Sequence, residues 1–155
     1  MRLLRIVARA RADHGAEAVD ALQAALGGRI FDAPRGEAEA EPGRPGTRDF
    51  LEPVLREVGL PIDLADALDD TSWDEVIRAD GEEALALTGK DVGTPIIHFE
   101  PPDGEAFFGP VISRLPEPDR AGELWDHVVG LARFPGFAEL KRSLRERPQL
   151  VAFGV

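Results

Sequence analysis

Apolar residues recur every three to four positions through the first half of the chain, and at every second position just beyond its midpoint. The first period predicts helices. Leu3, Ile6, Val7 and Ala10 share one face of a helix from Leu3 to about Asp13, and His14-Gly15 marks its end. Val19, Leu22 and Leu26 point inward from a second helix, about Ala16 to Leu26, which Gly27-Gly28 is expected to stop. Ile30 to Gly46 reads as a loop, rich in Pro and Gly and solvated by Glu37, Glu39 and Glu41. It is either a lid or disordered, and disorder is favoured because so little of it can be buried. Thr47 can cap a third helix to Val58 with Phe50, Leu51, Val54, Leu55 and Val58 inward. Pro53 requires that helix to kink or to begin near Glu52. Gly59 ends it, and Pro61 opens a short helix through Leu68. Thr71 is expected to cap a helix to about Leu87, with Asp74 as its capping-box partner and Trp73, Ile77, Ala84 and Leu87 buried.

After Gly89 the period becomes two. Ile96 to Glu100 and Glu105 to Phe108 are expected to pair as an antiparallel hairpin around Pro101-Pro102-Asp103-Gly104, where Pro presets φ and Gly accepts positive φ. Pro118 opens a helix to about Ala132, whose stripe of Ala121, Leu124, Trp125, Val128, Val129 and Ala132 should lie on the hairpin. Pro135-Gly136 breaks the chain before a last helix, Phe137 to Arg145. Leu150 to Val155 is an apolar tail without an assigned partner.

Composition narrows the function. The 155 residues fit one domain with a single core. Hydrophobic residues make up 43% and charged residues 30%, as in a soluble globular protein. No apolar run approaches the roughly 20 residues of a membrane span, and charge at Arg9, Arg11 and Asp13 interrupts any leader-like start, so a cytoplasmic location is expected. A formal net charge of −11 argues against nucleic acid and anionic lipid as partners. Heavy use of Arg, Ala, Gly and Pro suggests a GC-rich genome. The chain has no cysteine, which excludes disulfides and thiolate metal sites. No metal-ligand spacing, phosphate loop or Ser-His-Asp order is present, so no catalytic or metal residue is assigned.

Isolated residues read as structural. His14 is a favourable cation near a helix C-terminus before it is a ligand or base. His98 faces away from Ile97 and Phe99 and has no Ser or Cys nucleophile tied to it. Trp73 is a core anchor before it is a stacking platform. Arg142, Arg145 and Arg147 form a cationic last turn before they form an anion site. The stretch that stands out is Gly93-Thr94-Pro95, a turn running directly into a strand. Pro95 either begins an edge strand in the ordinary trans form or turns the chain through a cis bond that leaves the Thr94 backbone free to meet a ligand.

Asp91 to His98 and Ala106 to Ser113, followed by Leu124-Trp125-Asp126 and Pro135 to Arg142, resemble the C-terminal half of DsbA-like thioredoxin-fold oxidoreductases, closest to the mycothiol-dependent nitroreductases of actinobacteria. The resemblance implies an α/β, thioredoxin-like fold of the DsbA type that is mostly helical with a C-terminal β-hairpin. Residues 1–88 would be a helical insertion, 89–148 the C-terminal half of the thioredoxin-like domain, and 149–155 a tail. The N-terminal βαβ unit with its Cys-x-x-Cys is missing, as in a truncated or mis-started form. The implied activity is thiol–disulfide exchange or mycothiol-dependent nitroreduction, which this chain alone cannot run. The implied partner is a small thiol or disulfide, mycothiol or another low-molecular-weight thiol, held by Gly93, Thr94 and Pro95. The resemblance favours the cis form at Pro95. The alternative is a non-catalytic binding module that forms homo-oligomers through an exposed strand edge.

Overall fold

The computed structural model describes residues 1–33, 43–142, 146 and 149. The chain divides into two compact units, Met1–Asp80 and Gly81–Gln149. The first is helical. Helix α1 (Arg2–His14) and helix α2 (Ala16–Gly27) meet at Gly15, whose φ of 83° suits glycine and whose N–H closes α1 on Arg11. Helix α3 (Arg48–Glu57) begins at Thr47, whose hydroxyl accepts from the Phe50 N–H. Pro53 lies inside α3, and the helix starts at Arg48 nonetheless. Phe50, Leu51, Val54 and Leu55 are all buried around it, which outweighs one lost backbone bond. At its other end Gly59 donates to Arg56 and Leu60 to Leu55, a Schellman pair that satisfies two terminal carbonyls.

Ile62–Leu68 then forms a 3₁₀ helix that buries Leu64, Ala65, Ala67 and Leu68. These side chains join Ile6, Ala10, Leu22 and Leu26 in one core, with Trp73 packed against it. Four arginines of α1 clamp the segment that follows α3. Arg5 grips Asp74 through Nε and Nη2 at 2.7 and 2.8 Å and donates to the Leu68 carbonyl. Arg2 holds Asp69, Arg9 holds Asp63 and Arg11 holds Asp80.

Several expectations change. Gly27-Gly28 does not stop α2: both residues are helical, and the chain continues as a π-helical turn, Gly28–Asp32. Glycine permits a break without requiring one. Of the Ile30–Gly46 loop, residues 34–42 lie outside the described residues. Thr71 is not the cap; Asp70 accepts from the Ser72 N–H and opens a 3₁₀ turn, Thr71–Trp73, that leads into helix α4 (Asp74–Thr88). An Asp one residue earlier reaches the same orphan donors. The buried face expected on α4 is absent: none of its residues is buried and Leu87 is 45% exposed.

The second unit is built on a hairpin. Strands β1 (Ile96–His98) and β2 (Ala106–Phe108) pair antiparallel with Ile97 opposite Phe107. Strand β1 is two residues shorter than expected because Glu100 takes φ 53°, outside the extended region. Helix α5 (Ala121–Ala132) starts after a turn in which Arg120 donates to Glu117, three residues beyond Pro118. Trp125 of α5 stacks on Phe99 with ring centroids 5.9 Å apart, and Ala132 is buried. The expected last helix is not formed over 137–142, and 143–145 lie outside the described residues. Phe137 turns instead against Phe107 at 5.7 Å, while Leu140 is 78% exposed. A short helix with one anchored side chain does not repay its nucleation cost. The apolar tail 150–155 also lies outside the described residues.

Candidate functional site

Gly93, Thr94 and Pro95 are all exposed and form the entrance to β1. Gly89, at φ 97°, closes α4 by donating to Leu85 and releases the chain into this turn. The Thr94–Pro95 peptide bond is cis, as are Pro101–Pro102 and Gly109–Pro110. The Pro95 carbonyl accepts from the Gly109 N–H at 2.8 Å, which ties the turn to the far end of β2. A Cβ on Gly93 would stand 3.5 Å from the Phe108 ring, so the turn lies against an aromatic edge. Three sequence-singled residues are thus brought together on one exposed corner of the hairpin.

His98 is not part of that corner. Its Nε2 lies 3.0 Å from the Gly104 carbonyl, and because a carbonyl only accepts, the ring must donate from Nε2. His98 therefore fastens the opposite end of the hairpin. Four residues of extended chain at about 3.3 Å each separate it from Thr94. His14 is exposed in the last turn of α1. Arg142 is exposed in irregular chain, and Arg145 and Arg147 lie outside the described residues.

The hairpin turn has its own chemistry. Gly104 donates to the Glu100 carbonyl at 3.0 Å. A Cβ on Gly104 would fall 1.7 Å from the Phe99 carbonyl oxygen, so glycine is required there for close approach. The positive φ expected at Gly104 is taken by Glu100 instead. The Glu100 carboxylate pairs with Arg133, the residue that caps α5. No sequence signal links these two residues, which stand 33 positions apart.

The perturbed titrating groups lie in the first unit. Arg5 holds the Asp74 carboxyl below its ordinary value by hydrogen bonding and then by charge. Asp70 is lowered by hydrogen bonds from Ser72. Both belong to helix capping and clamping. Among the described residues no group of three or more His, Asp or Glu could hold a metal ion, and no helix is long and apolar enough to cross a membrane.

An uncharacterized protein, Rv2286c of Mycobacterium tuberculosis (strain ATCC 25618 / H37Rv), is 34% identical over 101 residues, 64% of this chain. The aligned stretch is 42% of that relative's own length. The pattern of the Rv2466c-like family, mycothiol-dependent nitroreductase Rv2466c, matches residues 3–142. That match takes in α1, the exposed Gly93-Thr94-Pro95 corner and the Phe137 segment alike, and the chain belongs to the Rv2466c-like family.

Proposed function

We propose that this chain is the substrate-docking part of a DsbA-type, thioredoxin-like oxidoreductase working with a low-molecular-weight thiol in the cytoplasm. Residues 89–148 are then the C-terminal half of the thioredoxin-like domain and residues 1–88 its helical insertion. The observation that carries this reading is the exposed Gly93-Thr94-Pro95 turn at the head of β1, in a chain whose family is named for mycothiol dependence.

The turn suits such a ligand. Its shape is held by the Pro95 carbonyl bonding to Gly109, so the Thr94 backbone is spared that task. Gly93 keeps the approach low, with only the Phe108 ring beneath it. A thiol such as mycothiol supplies the sulfur that is exchanged or oxidised. In thiol–disulfide exchange a thiolate attacks a disulfide sulfur, a mixed disulfide forms, and the other sulfur of the broken bond leaves as a thiolate. This chain has no cysteine, so its own contribution is positional. Thr94 pairs through its backbone with the amide groups of the bound thiol compound. Pro95 directs the turn, and the attacking thiolate is supplied by a cysteine outside these residues.

An amide-resolved NMR titration with mycothiol disulfide tests the reading. Shifts concentrated at Gly93, Thr94 and Ile96 are expected. Saturating disulfide without movement of those amides would remove the docking role. The purified chain is also expected to give no disulfide or nitro reduction above a buffer control, since it has no residue that cycles between thiol and disulfide.

A second reading, a non-catalytic module that associates through its sheet, is favoured by one observation. Among the described residues, strand β1 has β2 as its neighbour on one side only.

A further inference from the structure

Two grooves open on the hairpin–α5 face of the second unit. One, of about 350 Å³, is walled by Phe99 and Trp125 with Asp126 beside them. The other, of about 680 Å³, is walled by Phe134 and Phe137 with Glu105 at its edge. Phe99, Glu100 and Arg133 line both, so the grooves meet at the Glu100–Arg133 ion pair. The aromatic surface there is available: Trp125 is 47% and Phe134 68% exposed.

We propose that this junction binds a hydrophobic organic cation, a quaternary ammonium or arylalkylamine, with its charge at Glu100 and its apolar body in the aromatic grooves. Charge selects that class. The grooves present three carboxylates, Glu100, Glu105 and Asp126, against the single guanidinium of Arg133. Aromatic faces attract cations through their ring quadrupole. A net charge of −11 steers cations toward the surface and repels anions. An anionic ligand would have to draw Arg133 from Glu100 while facing the other carboxylates.

The protein already places a cation at this point. The Glu100 backbone is held in place, because the Gly104 N–H bonds its carbonyl. Arg133 reaches Glu100 with the end of a long side chain that is 58% exposed. The ligand's ammonium and the Arg133 guanidinium therefore compete for one carboxylate. This competition gives two substitutions opposite signs.

The test uses benzyltrimethylammonium chloride, with benzyl alcohol as the uncharged control. The chain has two tryptophans, so Trp73→Phe leaves Trp125 as the reporting fluorophore. Saturable quenching by the ammonium, and none by the alcohol at equal concentration, is expected. Glu100→Gln should weaken binding by up to about fivefold, the range of an exposed ion pair. Arg133→Gln should tighten it by about the same factor, since it removes the competing ion pair. Asp126→Asn is a second weakening variant should Glu100→Gln disturb the turn, and circular dichroism of each variant checks the fold. Equal binding of the alcohol would overturn the proposal. So would weaker binding by Arg133→Gln, or no effect of either carboxylate substitution.

Discussion

Single residues set the ends of the elements, and their roles follow from contacts only partly legible in residue type. Thr47 was legible: a Thr before a periodic apolar run is a cap, and its hydroxyl both accepts from Phe50 and donates to the Arg44 carbonyl at 2.8 Å. Thr47→Ala is expected to cost about 1 kcal/mol, read from a urea melt of the helical signal. Gly104 was legible as a necessary glycine, but for the wrong reason. Its neighbour in space is the Phe99 carbonyl oxygen, at a distance no sequence spacing encodes. Gly104→Ala should strain the turn by about 1–3 kcal/mol and speed amide exchange at Ile97 and Phe107, while the helical unit melts as before. The same turn explains His98. Alternation alone pointed its ring away from Ile97, and the nearby Gly104 carbonyl gives that ring its purpose.

At the scale of elements, hydrophobic period located α1, α2, α3, α5 and the hairpin: α1, α2 and α3 bury a periodic face, while α5 and the hairpin meet through the Trp125–Phe99 stack. It failed where the partner of a face is decided elsewhere. On α4 the apolar residues find no core, and the Phe137–Arg145 helix has a single anchored ring over its described part. The arginine clamps were equally invisible, since Arg5 and Asp74 stand 69 residues apart. Those clamps make a prediction about acid. The folded state holds Asp74 and Asp70 below their ordinary value of 3.8, so it binds fewer protons there than the unfolded chain. Stability from these groups is fully present above the unfolded value. It falls as pH drops from about 5 through the lowered folded values. Denaturant melts of the helical unit between about pH 6 and pH 2 should show that decline, and Asp74→Asn should make it shallower. An acid limb unchanged in the variant would mean that the Arg5 clamp does not contribute to it.

At the scale of the whole molecule, the two units differ in how well they bury their apolar residues, and this bears on association. The first has a continuous core of fully buried side chains, among them Ile6, Leu22, Leu51 and Leu55. Among the described residues of the second, the buried hydrophobics are Phe99 and Ala132. Phe108 at the end of β2, and Val111, Ile112 and Leu115 after it, are between 40% and 81% exposed. Composition could not reveal this, because the apolar fraction is ordinary and the shortfall lies in what covers it. Burying about 500 Å² of such surface would gain roughly 12 kcal/mol before association costs. Those costs are estimated at about 4–15 kcal/mol, and like charge at −11 opposes contact further. The balance therefore turns on salt, which screens the repulsion and leaves the apolar term. The chain is expected to gain mass with concentration in light scattering, more so at about 0.5 M salt than at about 0.05 M. Its thermal midpoint should rise with protein concentration. Replacing Val111 and Leu115 together by Asp should abolish the mass gain and leave the α1–α3 core folded. A monodisperse monomer at both salt concentrations, melting above about 60 °C whatever its concentration, would show that the second unit is stable without a partner.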